Sequence, residues 1–261
     1  MKFPSTYDAD RIFWRNLAAR DIAEPLPSFD HNTPAEQAQA ALVAARRLVA
    51  GVRRDGWVIG YVLSDELGPG LCSDFTHPLD QAVVLADSTS LIELTRAMSK
   101  TDWVLVRLLG EVSGIVTRSD LQDPPVRMWL FGMITVIELR FQKMIEERFE
   151  AEEWVHFISP GRQEKARRML EERQRRGQDS TLVDCLQFSD KAQIIARDET
   201  LRMQAGFASR NRADETIKRL EKLRNNLAHS QSIVDTDWEV IAGIADSLQR
   251  LFDLGYFHAD R

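Results

Sequence analysis

The feature that most constrains this chain is an internal repeat with a period of 54 residues in its N-terminal half. Residues 60–67 (GYVLSDEL) align with residues 114–121 (GIVTRSDL). Each segment ends a stretch, 57–63 or 112–117, that is rich in β-branched and aromatic residues and is therefore predicted to be a strand. A repeat of this length, preceded by helix and strand signals in the same order, predicts two similar units packed together.

Helices precede the strands in both halves of the repeat. The first half has a helix start at Thr33, a hydroxyl cap followed by Pro34 at the first helical position and Glu36 in the first turn. The second half has a predicted helix over 88–99, with Asp87 or Ser88 as its cap. The other predicted strands of the second half are 83–85 and 103–108.

The pattern changes on both sides of the repeat. Residues 1–30 mix charged residues and prolines and predict only a short helix near 9–19. After the repeat, Asp123 is followed by Pro124 and Pro125, which indicates the start of a new helix. We therefore divide the chain into an N-terminal extension over 1–30, a repeated unit over 31–122 and a C-terminal domain over 123–261.

The C-terminal domain is predicted to be all-helical. From Val126 to Phe149, apolar residues recur at the spacing of a long helix. The further predicted helices are 161–176, 181–187, 189–197, 212–228 and 236–254. The predicted fold class is thus α+β, with helix–strand–strand repeats followed by an all-helical bundle.

Composition restricts the class of protein. A content of 44% hydrophobic and 28% charged residues is typical of soluble globular chains, and a net charge of −6 does not indicate a nucleic-acid binder overall. Cys72 and Cys185 are too few for a disulfide framework or a Cys-rich metal site. The charged N-terminus is unlike a signal peptide, and the longest apolar run, 128–137, is too short to cross a bilayer. We therefore expect a cytoplasmic protein without a membrane partner.

The repeat resembles a known family. Residues 114–121 resemble the ending of a cystathionine-β-synthase-type (CBS) repeat, and residues 87–94 (DSTSLIEL) resemble its usual helix entry. The resemblance covers about residues 35–120 as a tandem pair. In the CBS family two repeats form one disc-like module, and the cleft between them commonly binds an adenine nucleotide or an adenosine derivative. The resemblance therefore implies a regulatory ligand such as AMP, ADP or ATP.

The Thr-x-x-Asp ending of the second repeat offers groups that suit such a ligand. Thr117 and Asp120 place a hydroxyl and a carboxylate at the start of the next helix, where carboxylates bind ribose and helix N-termini bind phosphate. The resemblance implies that Asp120 contacts ribose, Thr117 contacts ribose or phosphate, and Arg118 contacts phosphate. In the alternative interpretation, Thr117 and Asp120 only cap the helix. The first repeat has Leu63 and Glu66 at these positions, so at most one site per chain is expected.

The C-terminal domain carries a second motif. Residues 222–230 (KLRNNLAHS) resemble the Arg-x(4–6)-His motif of HEPN domains, and they stand at the end of a predicted helix. Glu138 and Arg140 are similar to the charged pair that many HEPN domains carry in their first core helix. The resemblance implies a helical HEPN domain and, for the catalytic members of that family, a ribonuclease.

The implied chemistry is metal-independent cleavage of RNA. His229 would move the proton of the ribose 2′-hydroxyl, Arg224 would bind the phosphate, and Asn225 would position the phosphate or the histidine. The resemblance implies a homodimer in which both motifs face one cleft, and a 2′,3′-cyclic phosphate product. On a regular helix Arg224 and His229 are about 140° apart, so they converge only if the helix ends or tightens near Ala228, which the polar run 230–232 permits. The alternative is a structural role, with a histidine at the helix-end carbonyls and an arginine in a surface ion pair.

A basic run over 162–176 holds seven Lys or Arg residues against three Glu. Such a run is either a contact surface for an RNA backbone or a solvated helix face.

Three functional hypotheses follow. The first is a nucleotide-regulated HEPN endoribonuclease without a metal cofactor, acting as a stress, toxin or defence effector. The second is a non-catalytic dimeric regulator, in which the CBS pair senses a nucleotide and the HEPN module binds a protein or RNA. The third is a dimeric scaffold in which neither site is active.

Overall fold

The computed structural model describes residues 17–229, 231–233, 241 and 243. The chain forms two compact units, residues 14–126 and residues 1–13 with 127–261. Of the predicted elements, most of the helix near 9–19 and all but two residues of the helix at 236–254 lie outside the described residues.

The first unit contains two four-stranded sheets, with strand orders β2-β3-β4-β5 and β1-β8-β7-β6. Each sheet has a parallel pair (β2–β3 or β6–β7) followed by an antiparallel hairpin (β3–β4 or β7–β8). The strands are β1 (Glu24–Pro25), β2 (Ser28–Asp30), β3 (Val49–Arg54), β4 (Trp57–Leu63), β5 (His77–Pro78), β6 (Val84–Ala86), β7 (Trp103–Leu108) and β8 (Glu111–Thr117).

One helix crosses from the first to the second strand of each parallel pair. These are α1 (Ala35–Ala44) and α2 (Leu91–Met98). The unit therefore consists of two strand–helix–strand–strand repeats, which confirms the two similar packed units that the internal repeat predicts.

The pairing register confirms the period of 54 residues. Val49 pairs with Leu63 in the first repeat, and Trp103 pairs with Thr117 in the second. Even the irregularities correspond, because each hairpin has a register shift directly after Val52 or Val106. A core cluster draws on both sheets, so the repeats share a hydrophobic interface; its buried members are Leu26, Val49, Tyr61, Leu105, Val112 and Ile115.

Short strands exchange between the repeats. Glu24–Pro25 precedes the first repeat but pairs with β8 of the second, and His77–Pro78 precedes the second repeat but pairs with β4 of the first. Residues 1–30 are predicted to be an extension, yet residues 24–25 and 28–30 form strands of the two sheets. Strands of two or three residues are too short to show the alternation by which strands are recognised.

The predicted caps of the first unit are wrong. The helix after Thr33 begins at Ala35, so Pro34 is its cap residue and offers no side-chain acceptor, while Thr33 lies in the preceding turn with its amide bonded to the Asp30 carbonyl. The second helix is capped by Ser90, whose hydroxyl accepts a hydrogen bond from the Glu93 amide at 3.3 Å.

The described residues of the second unit form helices only. Its helices are α3 (Pro124–Arg148, which begins three residues before the unit boundary), α4 (Pro160–Arg175), α5 (Phe188–Arg197), α6 (Glu199–Gln204) and α7 (Arg210–Ala228). The predicted helix at 181–187 is only a 3₁₀ turn over Val183–Cys185. The Asp184 carboxylate accepts from the Thr181 amide at 2.7 Å and thereby closes a local turn that competes with helix.

The long helix α3 supplies much of the second unit's core. Its side chains are buried on more than one face, which is typical of a central helix. Phe141 stacks near Phe188 of α5, with ring centroids 6.2 Å apart. Its largest fully buried side chains are Trp129, Leu130, Met133, Ile134, Ile137 and Phe141.

No helix among the described residues is long and apolar enough to span a membrane.

Candidate ligand and active sites

The turn after β8 contains the sequence-predicted nucleotide site. The strand ends at Thr117, and a 3₁₀ turn over Arg118–Gln122 follows. Asp120 Oδ2 accepts two hydrogen bonds from Thr117, one from the amide at 2.6 Å and one from the hydroxyl at 2.9 Å. Asp120 is only 5% exposed, so its carboxylate serves as the cap of this turn.

Burial controls the protonation of this carboxyl. Desolvation raises the pKa of Asp120, and the two hydrogen bonds from Thr117 oppose that shift without cancelling it. The negative charges of Glu24 and Asp123 raise the pKa further. Glu24 forms an ion pair with Arg47, which brings a cation into the surroundings of the turn.

Arg118 is already engaged by an acid. Its guanidinium lies 3.0 Å from Asp102 Oδ1, and its amide donates to the Asp102 carbonyl at 3.1 Å. The side chain is 38% exposed, so an anion could reach it while the ion pair persists. The Thr117 hydroxyl also lies 2.7 Å from the Ser119 hydroxyl, which gives the turn a second hydroxyl at its rim.

The same capping pattern occurs elsewhere in the chain. Asp21, Asp74, Asp184 and Asp190 each accept a hydrogen bond from the amide three residues earlier. The bonds of Asp120 are therefore an ordinary capping arrangement and do not by themselves identify a ligand site. At the equivalent turn of the first repeat, Glu66 instead pairs with His77.

The Arg224–His229 motif lies at the C-terminal end of α7. The helix continues to Ala228, and His229 is its C-terminal cap residue, with φ −103° and ψ 15°. Asn225 and His229 are exposed and Arg224 is half-buried. The helix ends at Ala228, where the sequence allows the two side chains to converge, and His229 stands outside the regular helix on which about 140° would separate them. Among the described residues no hydrogen bond or ion pair joins Arg224 to His229.

Arg127 is a residue at this helix end that sequence reasoning missed. From the first turn of α3, its guanidinium donates to the carbonyls of Asn226, Leu227 and Gln231 at 3.1, 3.2 and 2.9 Å. No local signal could reveal it, because its partners lie about 100 residues further along the chain.

An apolar groove of about 480 Å³ borders the same helix end. It is lined by α3 residues from Arg127 to Leu139 and by Leu227 and Ala228 of α7. Three of the α3 side chains in this groove are exposed, Met128 by 69%, Phe131 by 46% and Leu139 by 43%.

The charged pair predicted on α3 is part of a buried network. Glu138 Oε1 lies 3.2 Å from Lys191 Nζ, and that ammonium also donates to Gln142 Oε1 at 2.9 Å. The Lys191 side chain is 5% exposed, and Arg140 is buried as well. Lys191 and Arg140 thus lie in the interior of the unit, and Glu138 is partly buried beside Lys191. Within the described part of the chain, no cluster of three or more His, Cys, Asp or Glu could hold a metal ion.

The basic run of α4 is largely compensated by acids. An RNA-binding surface needs positive charge that is not neutralised by the protein itself. The arginines pair as follows: Arg162 with Asp190, Arg167 with Glu152, Arg168 with Glu164, Arg175 with Glu171 and Arg176 with Glu172. This arrangement favours the solvated helix face over the RNA contact surface.

Comparison with known proteins concerns the duplicated part of the chain. The chain matches no protein-family model and no curated protein. CBSX2, a CBS-pair protein from Arabidopsis thaliana, is 21% identical over 40% of this chain and 90% of its own, with a TM-score of 0.35. The CBS domain of a bacterial CNNM/CorC-family Mg2+ transporter in complex with ATP is 16% identical over 46% and 94%, with a TM-score of 0.36. A conserved protein from Pyrococcus horikoshii is 18% identical over 41% and 90%, with a TM-score of 0.36.

Proposed function

We propose that this protein is a nucleotide-sensing regulator, whose duplicated unit binds an adenine nucleotide at the turn after β8 and controls the helical unit. The observation that carries the proposal is an asymmetry between two otherwise equivalent repeats. Their strands share one register at 54-residue spacing. Only the second repeat ends in a hydroxyl and a carboxylate, Thr117 and Asp120, where the first has Leu63 and Glu66. A duplicated scaffold that combines a hydroxyl with a capping carboxylate at one of two equivalent turns favours a single, specific ligand.

The groups at this turn suit a nucleotide. Asp120 binds a ribose hydroxyl, Thr117 binds ribose or phosphate, and the half-exposed Arg118 binds phosphate. Both observed bonds from Thr117 go to Oδ2 of Asp120, so Oδ1 is the oxygen through which ribose can bind without breaking the cap.

Calorimetry against AMP, ADP and ATP tests the nucleotide site. Asp120→Ala and Thr117→Val are expected to weaken binding by about tenfold or more, since each removes a hydrogen bond to a charged or buried group. Asp74→Ala is the matched control, because Asp74 closes a turn in the same way at 2.9 Å from the Leu71 amide. It should bind as the wild type does. The site is rejected if none of the nucleotides binds, or if Asp120→Ala binds them equally well.

The helical unit is proposed to be the effector, a metal-independent endoribonuclease that uses Arg224, Asn225 and His229. The observation that favours this function is the exposure of an imidazole and an amide, His229 and Asn225, at a helix end beside a half-buried arginine. His229 takes the 2′-hydroxyl proton, Arg224 stabilises the phosphate, and Asn225 positions it. Since no described hydrogen bond or ion pair joins Arg224 to His229 within one chain, the proposed site is completed by a second copy of the chain.

Incubation with mixed RNA, followed by analysis of the product ends, tests the ribonuclease. His229→Ala and Arg224→Ala should lose about 10²- to 10⁴-fold in rate, whereas Asn225→Ala should be milder. Cleavage should persist in EDTA and leave 2′,3′-cyclic phosphate ends. His156→Ala is the control, since it removes another exposed histidine of the same unit.

Two outcomes would change the assignment. Equal cleavage by His229→Ala and wild type would place the activity elsewhere or in a contaminant. An inactive wild type in the presence of each nucleotide would favour the second function, a non-catalytic dimeric regulator whose helical unit binds a protein or RNA.

A further inference from the structure

The C-terminal end of α7 is held by a side chain from another helix. The last carbonyls of any helix lack partners within it, and they carry the negative end of the helix dipole. α7 has no basic residue in its own last turn. Arg127 of α3 supplies the missing cation, since Nη2 donates to the Asn226 and Leu227 carbonyls at 3.1 and 3.2 Å.

The same guanidinium also holds the chain beyond the helix. Nη1 of Arg127 donates to the Gln231 carbonyl at 2.9 Å. Two of the three bound carbonyls therefore precede His229, and one follows it. Backbone bonds complete the arrangement, from the His229 amide to the Asn225 carbonyl and from the Gln231 amide to the Asn226 carbonyl, both at 3.0 Å.

We propose that Arg127 is the positioning residue of the Arg224–His229 site, because it fixes the backbone on both sides of His229. The catalytic part of this inference rests on the ribonuclease proposed above. Arg127 acts through the backbone and does not contact RNA. A lysine at this position replaces the guanidinium imperfectly, since one ammonium cannot reproduce the planar fork that reaches three carbonyls.

Amide hydrogen exchange tests the structural part of the inference without any activity. In Arg127→Ala, exchange at the amides of 229 and 231 should rise about tenfold, which corresponds to about 1.4 kcal/mol. Arg127→Lys should fall between this variant and the wild type. Arg197→Ala is the matched control, because Arg197 donates to the Phe157 carbonyl at 2.6 Å in the same unit. It should leave exchange at 229 and 231 unchanged.

Unchanged exchange at these two amides in Arg127→Ala would overturn the inference. If Arg127→Ala does not fold, Arg127→Lys and Arg127→Gln carry the same comparison, and wild-type exchange in both would overturn it equally.

Steady-state cleavage tests the functional part. Arg127→Ala should lower kcat about tenfold with KM within about twofold, and Arg127→Lys should recover part of kcat. A raised KM at unchanged kcat would instead make Arg127 an RNA-binding residue and would overturn the positioning role. If the wild type does not cleave RNA, only the proposed ribonuclease is refuted. Hydrogen exchange still tests whether Arg127 fixes the backbone around His229.

Discussion

Asp120 has an observed structural role and a proposed role in ligand binding. Its Oδ2 accepts both hydrogen bonds from Thr117, and the same carboxylate is proposed to bind ribose. Ribose binding through Oδ2 would break the cap and lose about 1 kcal/mol of its stabilisation, whereas binding through Oδ1 would preserve it. Asp120 can therefore cap the turn and bind ribose at the same time only if ribose binds through Oδ1.

The capping role predicts how Asp120 variants unfold. Asp120→Ala should lower the free energy of unfolding by about 1 kcal/mol, because the Thr117 amide loses its acceptor. Asp120→Asn should lose less, since an amide oxygen still accepts that bond. Urea denaturation measures both values, with Asp74→Ala as a second broken cap of the same geometry. A larger loss for Asp120→Asn than for Asp120→Ala would contradict the capping role.

The raised pKa of Asp120 predicts a pH dependence. Because the folded state binds this proton more tightly than the unfolded state, protonation of Asp120 stabilises the fold. That contribution is complete below the unfolded pKa of about 3.9 and is lost as the pH rises through the folded pKa. As the pH falls from about 7 to about 4, the free energy of unfolding of the wild type should therefore rise relative to that of Asp120→Asn. Urea unfolding at both pH values measures the difference, and a relative loss would contradict the prediction.

The buried ion pair of Lys191 predicts a larger effect on stability. Lys191→Ala should lower the free energy of unfolding by about 3 kcal/mol, since Glu138 and Gln142 lose their partner in the interior. Lys143→Ala removes an exposed ion pair with Glu147 within α3, the helix that also carries Glu138. It should cost less than about 0.5 kcal/mol. Thermal or urea unfolding compares the two variants. Equal losses would show that the Lys191 network contributes no more than a surface pair.

Residues in short sequence motifs could be located from the sequence, whereas residues whose partners lie far along the chain could not. Thr117, Asp120, Arg224 and His229 stand in short motifs with fixed spacing, so each motif could be located from the sequence. Arg127 could not, because its carbonyl partners are brought to it by the packing of α3 against α7. The binding partner of Lys191 was equally hidden, since 53 residues separate it from Glu138.

At the scale of elements, the two repeats allow the same substitution to be compared at two equivalent positions. Gly60 and Gly114 occupy equivalent register positions, opposite Pro78 and Pro25 of the short exchanged strands. A Cβ at Gly60 would lie 2.4 Å from the His77 carbonyl oxygen, which is backbone and cannot easily move. At Gly114 the nearest atom is Val106 Cβ at 3.2 Å.

This difference predicts unequal costs for the same substitution. Gly60→Ala should lower the free energy of unfolding by about 1 to 3 kcal/mol, because the hairpin and its neighbour must separate. Gly114→Ala should cost less, about 1 kcal/mol, since its closest contact, 3.2 Å to Val106 Cβ, requires a shift of only a few tenths of an ångström. Urea denaturation of the two variants gives the comparison, and the reverse order would show that the repeats are packed differently from the description above.

Elements with strong internal patterns could be predicted from sequence. The strands at 57–63 and 103–108 were predicted at their observed bounds, because β-branched and aromatic residues are concentrated there. Helix α3 was predicted from its long apolar periodicity. Helix α6, with six residues, was missed because it begins directly after α5, at the Asp198 cap. So short an element offers less than two turns of periodicity.

At the scale of the whole molecule, the proposed active site requires more than one chain. Within one chain no hydrogen bond or ion pair joins Arg224 to His229 among the described residues, so the proposed cleft combines the imidazole of one copy with the guanidinium of the other. A two-fold dimer supplies both, because each surface in an isologous interface meets its own copy. Catalysis and oligomeric state are thus linked in this proposal.

Exposed apolar side chains on α3 predict where that dimer forms. Met128, Phe131 and Leu139 border the groove beside the end of α7, and exposed apolar clusters of this kind mark interfaces. The wild type should be a dimer by light scattering at micromolar concentration. Phe131→Glu should shift it to a monomer, since two-fold symmetry brings two buried charges into the interface at once.

Met203→Glu is the control for this substitution, because Met203 is 60% exposed on α6 and lies outside the groove. It should remain dimeric, and both variants should keep the wild-type circular dichroism if the effect is confined to the interface. A monomeric wild type would contradict the prediction directly. It would also remove the composite ribonuclease site, because that site is proposed to be shared by two chains.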